Sequence, residues 1–156
     1  MKMPTMAEVV AEEATLQFTK FDNQTALAIG NQLVALAQER HAAVTIDITR
    51  CRQQLFHAAL PGTAIDNDEW LKRKINVVYQ FGVSSLHKQL EMTAQGRSIE
   101  EASLVNKYQF AAAGGCFPVV LKDTGLIGTI AVSGMASEED HQLIVDELTA
   151  FLTPIK

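Results

Sequence analysis

Two stretches of this chain read as strand pairs joined by turns too short for anything but antiparallel neighbours. The first is framed by glycines, from Gly114 to Gly134. Phe117 to Leu121 is apolar, Lys122-Asp123-Thr124-Gly125 has turn chemistry, and Gly125 can take a positive φ. Leu126 to Ser133 then alternates Leu126, Gly128, Ile130 and Val132 against Ile127, Thr129, Ala131 and Ser133. The second stretch runs from Val44 to Leu60. Val44, Ile46 and Ile48 alternate with Thr45, Asp47 and Thr49, the pattern of a half-buried strand. Phe56, Ala58 and Leu60 alternate with Leu55, His57 and Ala59, and only the polar link Arg50 to Gln53 lies between the runs. Tyr108 to Ala113 reads as one more strand entering Gly114-Gly115. The expectation is a five-stranded antiparallel sheet.

The remaining segments have helical period. Thr5 and Glu8 form a capping box ahead of Met6, Val9, Val10 and Leu16. Asp22 opens a helix whose inward face is Ala26, Ile29, Leu33, Leu36 and Ala37. Pro61-Gly62 ends the strand before it, and the acidic run Asp66 to Glu69 suits the start of a helix carrying Leu71, Ile75, Val78 and Tyr79. Gly82 interrupts that helix, Ser84 or Ser85 caps the next, and Gly96 closes it. Ser98 to Lys107 is a polar connection with room for one helical turn. Ser137 reads as the N-cap of a last helix with Ile144, Leu148, Phe151 and Leu152 on its core stripe and Pro154 beyond its end. With no linker or repeat, residues 1–156 are expected to form one domain of α/β character and α+β type.

Composition narrows the function classes. The chain has 156 residues, 47% hydrophobic and 20% charged, enough apolar material for a full core. A net charge of -5 disfavours nucleic acid as a general partner. No apolar run spans a bilayer, the amino-terminal segment lacks a signal-peptide pattern, and the two cysteines, Cys51 and Cys116, read as reduced thiols. A cytoplasmic protein with no membrane partner is expected.

No complete catalytic or metal-binding motif appears, so no catalytic residue is assigned. His57 sits on a strand, where an imidazole can ligate a metal or porphyrin iron or simply hydrogen-bond a neighbour. Lys72-Arg73-Lys74 with Asn76 forms a local basic cluster at helical spacing, beside the only tryptophan, Trp70. It is either an anion-binding face or a solvated one. Gly114-Gly115-Cys116-Phe117-Pro118 allows close backbone approach, for a ligand or for a plain turn. It is no phosphate loop, because no Gly-Lys-Ser/Thr follows. Free amides at Val132-Ser133-Gly134 face the acidic run Glu138 to Asp140, which argues against an anion there.

Val44-Thr-Ile-Asp47, Lys74 on the following helix, Gly114-Gly115-x-x-Pro118 and Leu126-Ile-Gly-Thr-Ile-Ala-Val-Ser-Gly134 together resemble the haem-degrading-domain, or HbpS-like, family. The run Asp66-Asn67-Asp68-Glu69-Trp70-Leu71-x-Arg73-Lys74-x-Asn76 is similar to its cytosolic branch. The resemblance covers about residues 20–153. It implies a profilin-like α/β/α sandwich, a homo-oligomer, and for some relatives haem or corrinoid binding. The resulting expectation is a homo-oligomeric small-molecule-binding protein. Its ligand, a tetrapyrrole or another anion, would lie against Arg73, Lys74, Asn76, Trp70, Gly114, Gly115, Phe117 and Pro118, with His57 as a haem axial ligand. The alternatives are an enzyme degrading haem or transforming another small molecule in the same pocket, and a structural or adaptor role through oligomer surfaces.

Overall fold

Four strands, not five, make the sheet in the computed structural model, which describes residues 1–153. The helices are α1 (Met6–Thr15), α2 (Asn23–Glu39), α3 (Ile65–Phe81), α4 (Ser85–Gln95), α5 (Ile99–Ser103) and α6 (Ser137–Leu152). The strands are β1 (Thr45–Arg50), β2 (Gln53–Ala59), β3 (Cys116–Leu121) and β4 (Gly125–Ser133), in the spatial order β2-β1-β4-β3 with every neighbour antiparallel. Both expected hairpins are present. Residues 108–113, expected as a fifth strand, are irregular. Their backbone is satisfied by α3 instead: the Ala111 amide donates to the Arg73 carbonyl at 3.3 Å, and the Gln109 carbonyl accepts from Asn76 Nδ2 at 2.7 Å. Phe110 and Ala112 pack against Val77, Met92 and Ile99, away from the sheet.

The two faces of the sheet differ in chemistry. Ile46, Ile48, Phe117, Val119, Ile130 and Val132 join α2 and α6 in the main hydrophobic core. At about 25 cal/mol per Å² of buried apolar surface, this layer is the main source of stability. On the opposite face, α3 rests through Leu71, Ile75 and Val78 on Cys116 and Ala131. Around that small apolar patch the face is polar. Thr45, Asp47, Thr49, Thr129 and Ser133 are all buried there, although their alternation reads as an outward face. Thr49 Oγ1 shares hydrogen bonds of 2.7 Å with both Thr129 Oγ1 and Tyr79 Oη, and Gln54 Nε2 donates to Asp47 at 2.5 Å. Such groups are costly to bury unless paired, so α3 covers a layer that resists tight apolar packing.

Local signals place most helix ends. The Thr5–Glu8 capping box is formed, Asp22 caps α2 by accepting from the Thr25 amide at 2.9 Å, and Ser84 caps α4. At α3 the cap position is Ala64, and Asn67 Oδ1 reaches back to its amide at 2.9 Å. Ser137 is not the N-cap of α6; Ala136 is, with no side-chain cap. The nearby Met135 amide donates instead to Asp140 Oδ1 at 3.0 Å. Pro154 lies outside the described residues.

One buried acid in α6 makes a testable contribution. Glu147 is 6% exposed and its Oε1 has no partner among the described residues. Burial pushes its carboxyl from 4.5 up to about 7. The folded state therefore favours the protonated form. Glu147 costs nothing below the unfolded value, costs more as pH rises between the two values, and then levels off. Glu147→Gln is expected to gain ~1–2 kcal/mol over the parent at about pH 8, and no such advantage at about pH 4. Urea midpoints at the two pH values check this.

Candidate functional site

A cleft of about 300 Å³ opens between the first half of α3 and the segment joining β4 to α6. Asp66, Asn67, Trp70 and Lys74 line it from α3; Ser133, Gly134 and Met135 line it from the end of β4, and Ser137 and Asp140 from α6, with Ala113 completing the wall. Helical spacing puts the α3 residues there, since positions 66, 70 and 74 recur every four residues on one face.

A buried ion pair lines this cleft. Lys74 is 4% exposed, and its Nζ donates to Asp140 Oδ2 at 3.1 Å and to the Val132 carbonyl at 3.0 Å. Two of the three ammonium donors are thus committed. Burial raises the Asp140 carboxyl from 3.8 to about 6, while Lys74 and the Met135 and Gly134 amides pull the other way. The net effect keeps a carboxyl close to its proton-exchange range inside a cleft. Gly115 makes the pair possible: at φ +124° it passes so close that a Cβ there would lie 2.6 Å from Lys74 Nζ. Beneath the cleft, Thr45 sits opposite Ser133 in the sheet, and its Oγ1 is buried without a partner among the described residues.

The expected site residues divide. Trp70 and Lys74 line the cleft. Arg73 turns away, its guanidinium 5.0 Å from the Trp70 ring centroid. Asn76 is consumed as a bridge, donating to Gln109 and accepting from Arg52 Nη1 at 2.7 Å, so Arg73, Lys74 and Asn76 do not converge. Gly114 and Gly115 are buried packing points; the Gly114 amide donates to Gln89 Oε1 at 2.8 Å. Phe117 is fully buried on the opposite face of the sheet, 5.9 Å from the His141 ring, because one residue along a strand reverses the side. Pro118 lies on the edge strand beside α1 and Gly82–Val83. His57 stands on β2 outside the cleft, its Nε2 held by Asp68 Oδ1 at 2.6 Å. Cys116 is fully buried and burial drives its thiol upward, which suits packing rather than attack. No metal-holding cluster of His, Cys, Asp or Glu occurs among the described residues.

Asp140 is concealed in the sequence as one of three acids at a helix start. Its position four residues before Ile144 was the available signal: it lies on the inward stripe of α6. Ser133 likewise belongs to the buried face of β4.

The profile of the family described as "Haem degrading protein HbpS-like" matches residues 21–149. The chain belongs to this family. A UPF0303 protein of Streptomyces coelicolor is 46% identical over 149 residues, which cover 96% of this chain and 94% of that relative. The crystal structure of Ybr137w superposes with a TM-score of 0.88 at 27% identity, covering 96% of this chain and 89% of that one. The crystal structure of the PduOC:Heme complex has a TM-score of 0.66 at 16% identity, covering 78% of this chain and 88% of its own, a likeness of fold. The α+β arrangement around an antiparallel sheet is therefore the family's. α1 precedes the matched segment. No helix among the described residues is long and apolar enough to cross a membrane.

Proposed function

We propose that this HbpS-like protein is a cytoplasmic homo-oligomer that binds a small molecule in the cleft between α3 and the start of α6. The observation that carries the reading is the buried Lys74–Asp140 pair lining an open cleft beside a half-exposed tryptophan. A buried ion pair adds little net stability, so its placement at a cavity favours a role toward a ligand. Trp70 supplies an apolar wall, and the uncommitted Lys74 donor supplies hydrogen bonding.

The family description and the haem-bound neighbour make a tetrapyrrole the first ligand to test. A cleft of about 300 Å³ in one chain is at the small end of ligand pockets. A tetrapyrrole would therefore need a second subunit to cover it. Exposed apolar side chains at and near the cleft, Ile65 and Trp70, and farther along Leu104 and Tyr108, favour such a contact. Haem titration should give a saturable Soret shift at about one equivalent per chain or per pair of chains. Trp70→Ala should weaken that binding about tenfold or more. No saturable shift contradicts the tetrapyrrole form and leaves smaller ligands. Sedimentation at micromolar concentration reads the assembly: a species heavier than the 17.1 kDa chain supports it, and a monomer contradicts it.

A further inference from the structure

Lys74 combines three properties that rarely coincide in one lysine. It lines a cavity, it is 4% exposed, and a carboxylate stands 3.1 Å from its nitrogen. Lys72, whose side chain is 69% exposed and paired with Glu69 at 2.9 Å, is the surface lysine to set beside it. A lysine becomes a nucleophile when burial disfavours its charge and a neighbouring base can take the proton.

We propose that Lys74 is a covalent site for a small, neutral aldehyde or ketone, which condenses with its ε-amine to form an imine, Asp140 carrying the proton. This rests on the cleft being a ligand site and concerns its smaller ligands, those that carry a carbonyl, rather than a tetrapyrrole. The Lys74 ammonium passes a proton to Asp140 Oδ2, leaving a neutral amine and a neutral acid. The amine lone pair attacks the carbonyl carbon, the C–N bond forms, and the C=O π electrons move to oxygen. Proton transfers from nitrogen and from Asp140 deliver the two hydrogens with which that oxygen departs as water. The product is an imine whose protonated form keeps Asp140 as its counter-ion.

Two further observations fit this chemistry. Burial pushes the Asp140 carboxyl up to about 6, so it accepts a proton more readily than an exposed aspartate does. Gly115 places no side chain against Nζ, where a Cβ would lie 2.6 Å away. The preference for a neutral carbonyl compound follows from charge. Lys74 and Asp140 neutralise each other and Asp66 adds a negative charge, so inside the cleft itself there is no unpaired cation to hold an anion, while the Trp70 ring offers an apolar surface.

The test incubates the folded, full-length protein with butyraldehyde and cyanoborohydride, whose hydride fixes any imine as a secondary amine. Peptide mapping then compares the labelling rates of Lys74 and Lys72. Exposure alone makes Lys74 the slower. The expected result is labelling at Lys74 about tenfold or more faster than at Lys72, with the two rates equal in urea. Labelling of Lys74 at or below the Lys72 rate overturns the proposal. Asp140→Asn is expected to cut the Lys74 rate about tenfold or more. An unchanged rate in a variant that keeps the parent's near-ultraviolet dichroism overturns the role of Asp140. If that variant fails to fold, the parent's two rates still decide. A ligand found in the cleft of a protein whose Lys74 stays unlabelled sinks the covalent step and leaves the binding reading standing. Selective Lys74 labelling in a protein that binds nothing does the reverse.

Discussion

Asp140→Ala is expected to remove about 3–5 kcal/mol of stability. The side chain does two jobs at once. Oδ2 is the counter-ion of Lys74, whose ammonium is 4% exposed, and Oδ1 accepts from the Met135 amide at 3.0 Å. Without it, a buried charge keeps only the Val132 carbonyl, at 3.0 Å. The loss is large beside the ~5–15 kcal/mol that holds a typical domain together. Much of it reflects the stranded charge rather than the worth of the pair. Adding Lys74→Met to Asp140→Ala should therefore restore most of the loss, because an apolar side chain of similar length replaces the stranded ammonium. Urea unfolding of the two single variants and the double gives the coupling. A double variant that loses the sum of both single effects would show that the pair is not the unit described.

Gly115→Ala should be nearly as damaging and should also close the site. At φ +124° an L side chain is strained, and the new Cβ would sit 2.5 Å from the Val132 carbonyl oxygen, 2.6 Å from Lys74 Nζ and 2.9 Å from Asp140 Cβ. Two of those neighbours belong to backbone or a short, held side chain, and the third is an ammonium tied to Asp140 and the Val132 carbonyl. Gly82 provides the internal control. It also has positive φ, +72°, but nothing lies within 4 Å of the place its Cβ would take. Gly82→Ala should cost about 1 kcal/mol from backbone strain alone, and Gly115→Ala about 3 kcal/mol or more. Thermal midpoints measured side by side check the difference. Equal losses would mean that the close approach to Lys74 is not tight.

The hairpins, the helix stripes and the family were legible because each is written locally, in period, turn residues and motif. The order of burial was not. Thr45, Asp47 and Thr49 alternate with Val44, Ile46 and Ile48 as an exposed face would, yet α3 covers them. Period two says which residues share a face and says nothing of what lies over it. Tyr108 to Ala113 has strand-forming residues at its start, but α3 and Asn76 claim its backbone groups first. Phe117 and Cys116 are adjacent in a motif and lie on opposite faces, so a motif cannot be read as a single pocket wall. For the candidate site, Trp70 and Lys74 were reached through the basic cluster, whereas Asp140 came into view only in three dimensions. Both charged partners sit on apolar stripes, Lys74 between Leu71 and Val78 and Asp140 ahead of Ile144. A charge on a core stripe was the sequence signal for this site.

The cleft between α3 and α6 is expected to hold a small molecule. Native mass spectrometry of the protein, taken from gently lysed cells, tests it most directly against Trp70→Ala, a change at a side chain that is 39% exposed. A defined non-protein mass is expected on the parent, released on denaturation or left on Lys74, and lost from the variant. A parent that carries no added mass, or a variant that carries the same one, would contradict it.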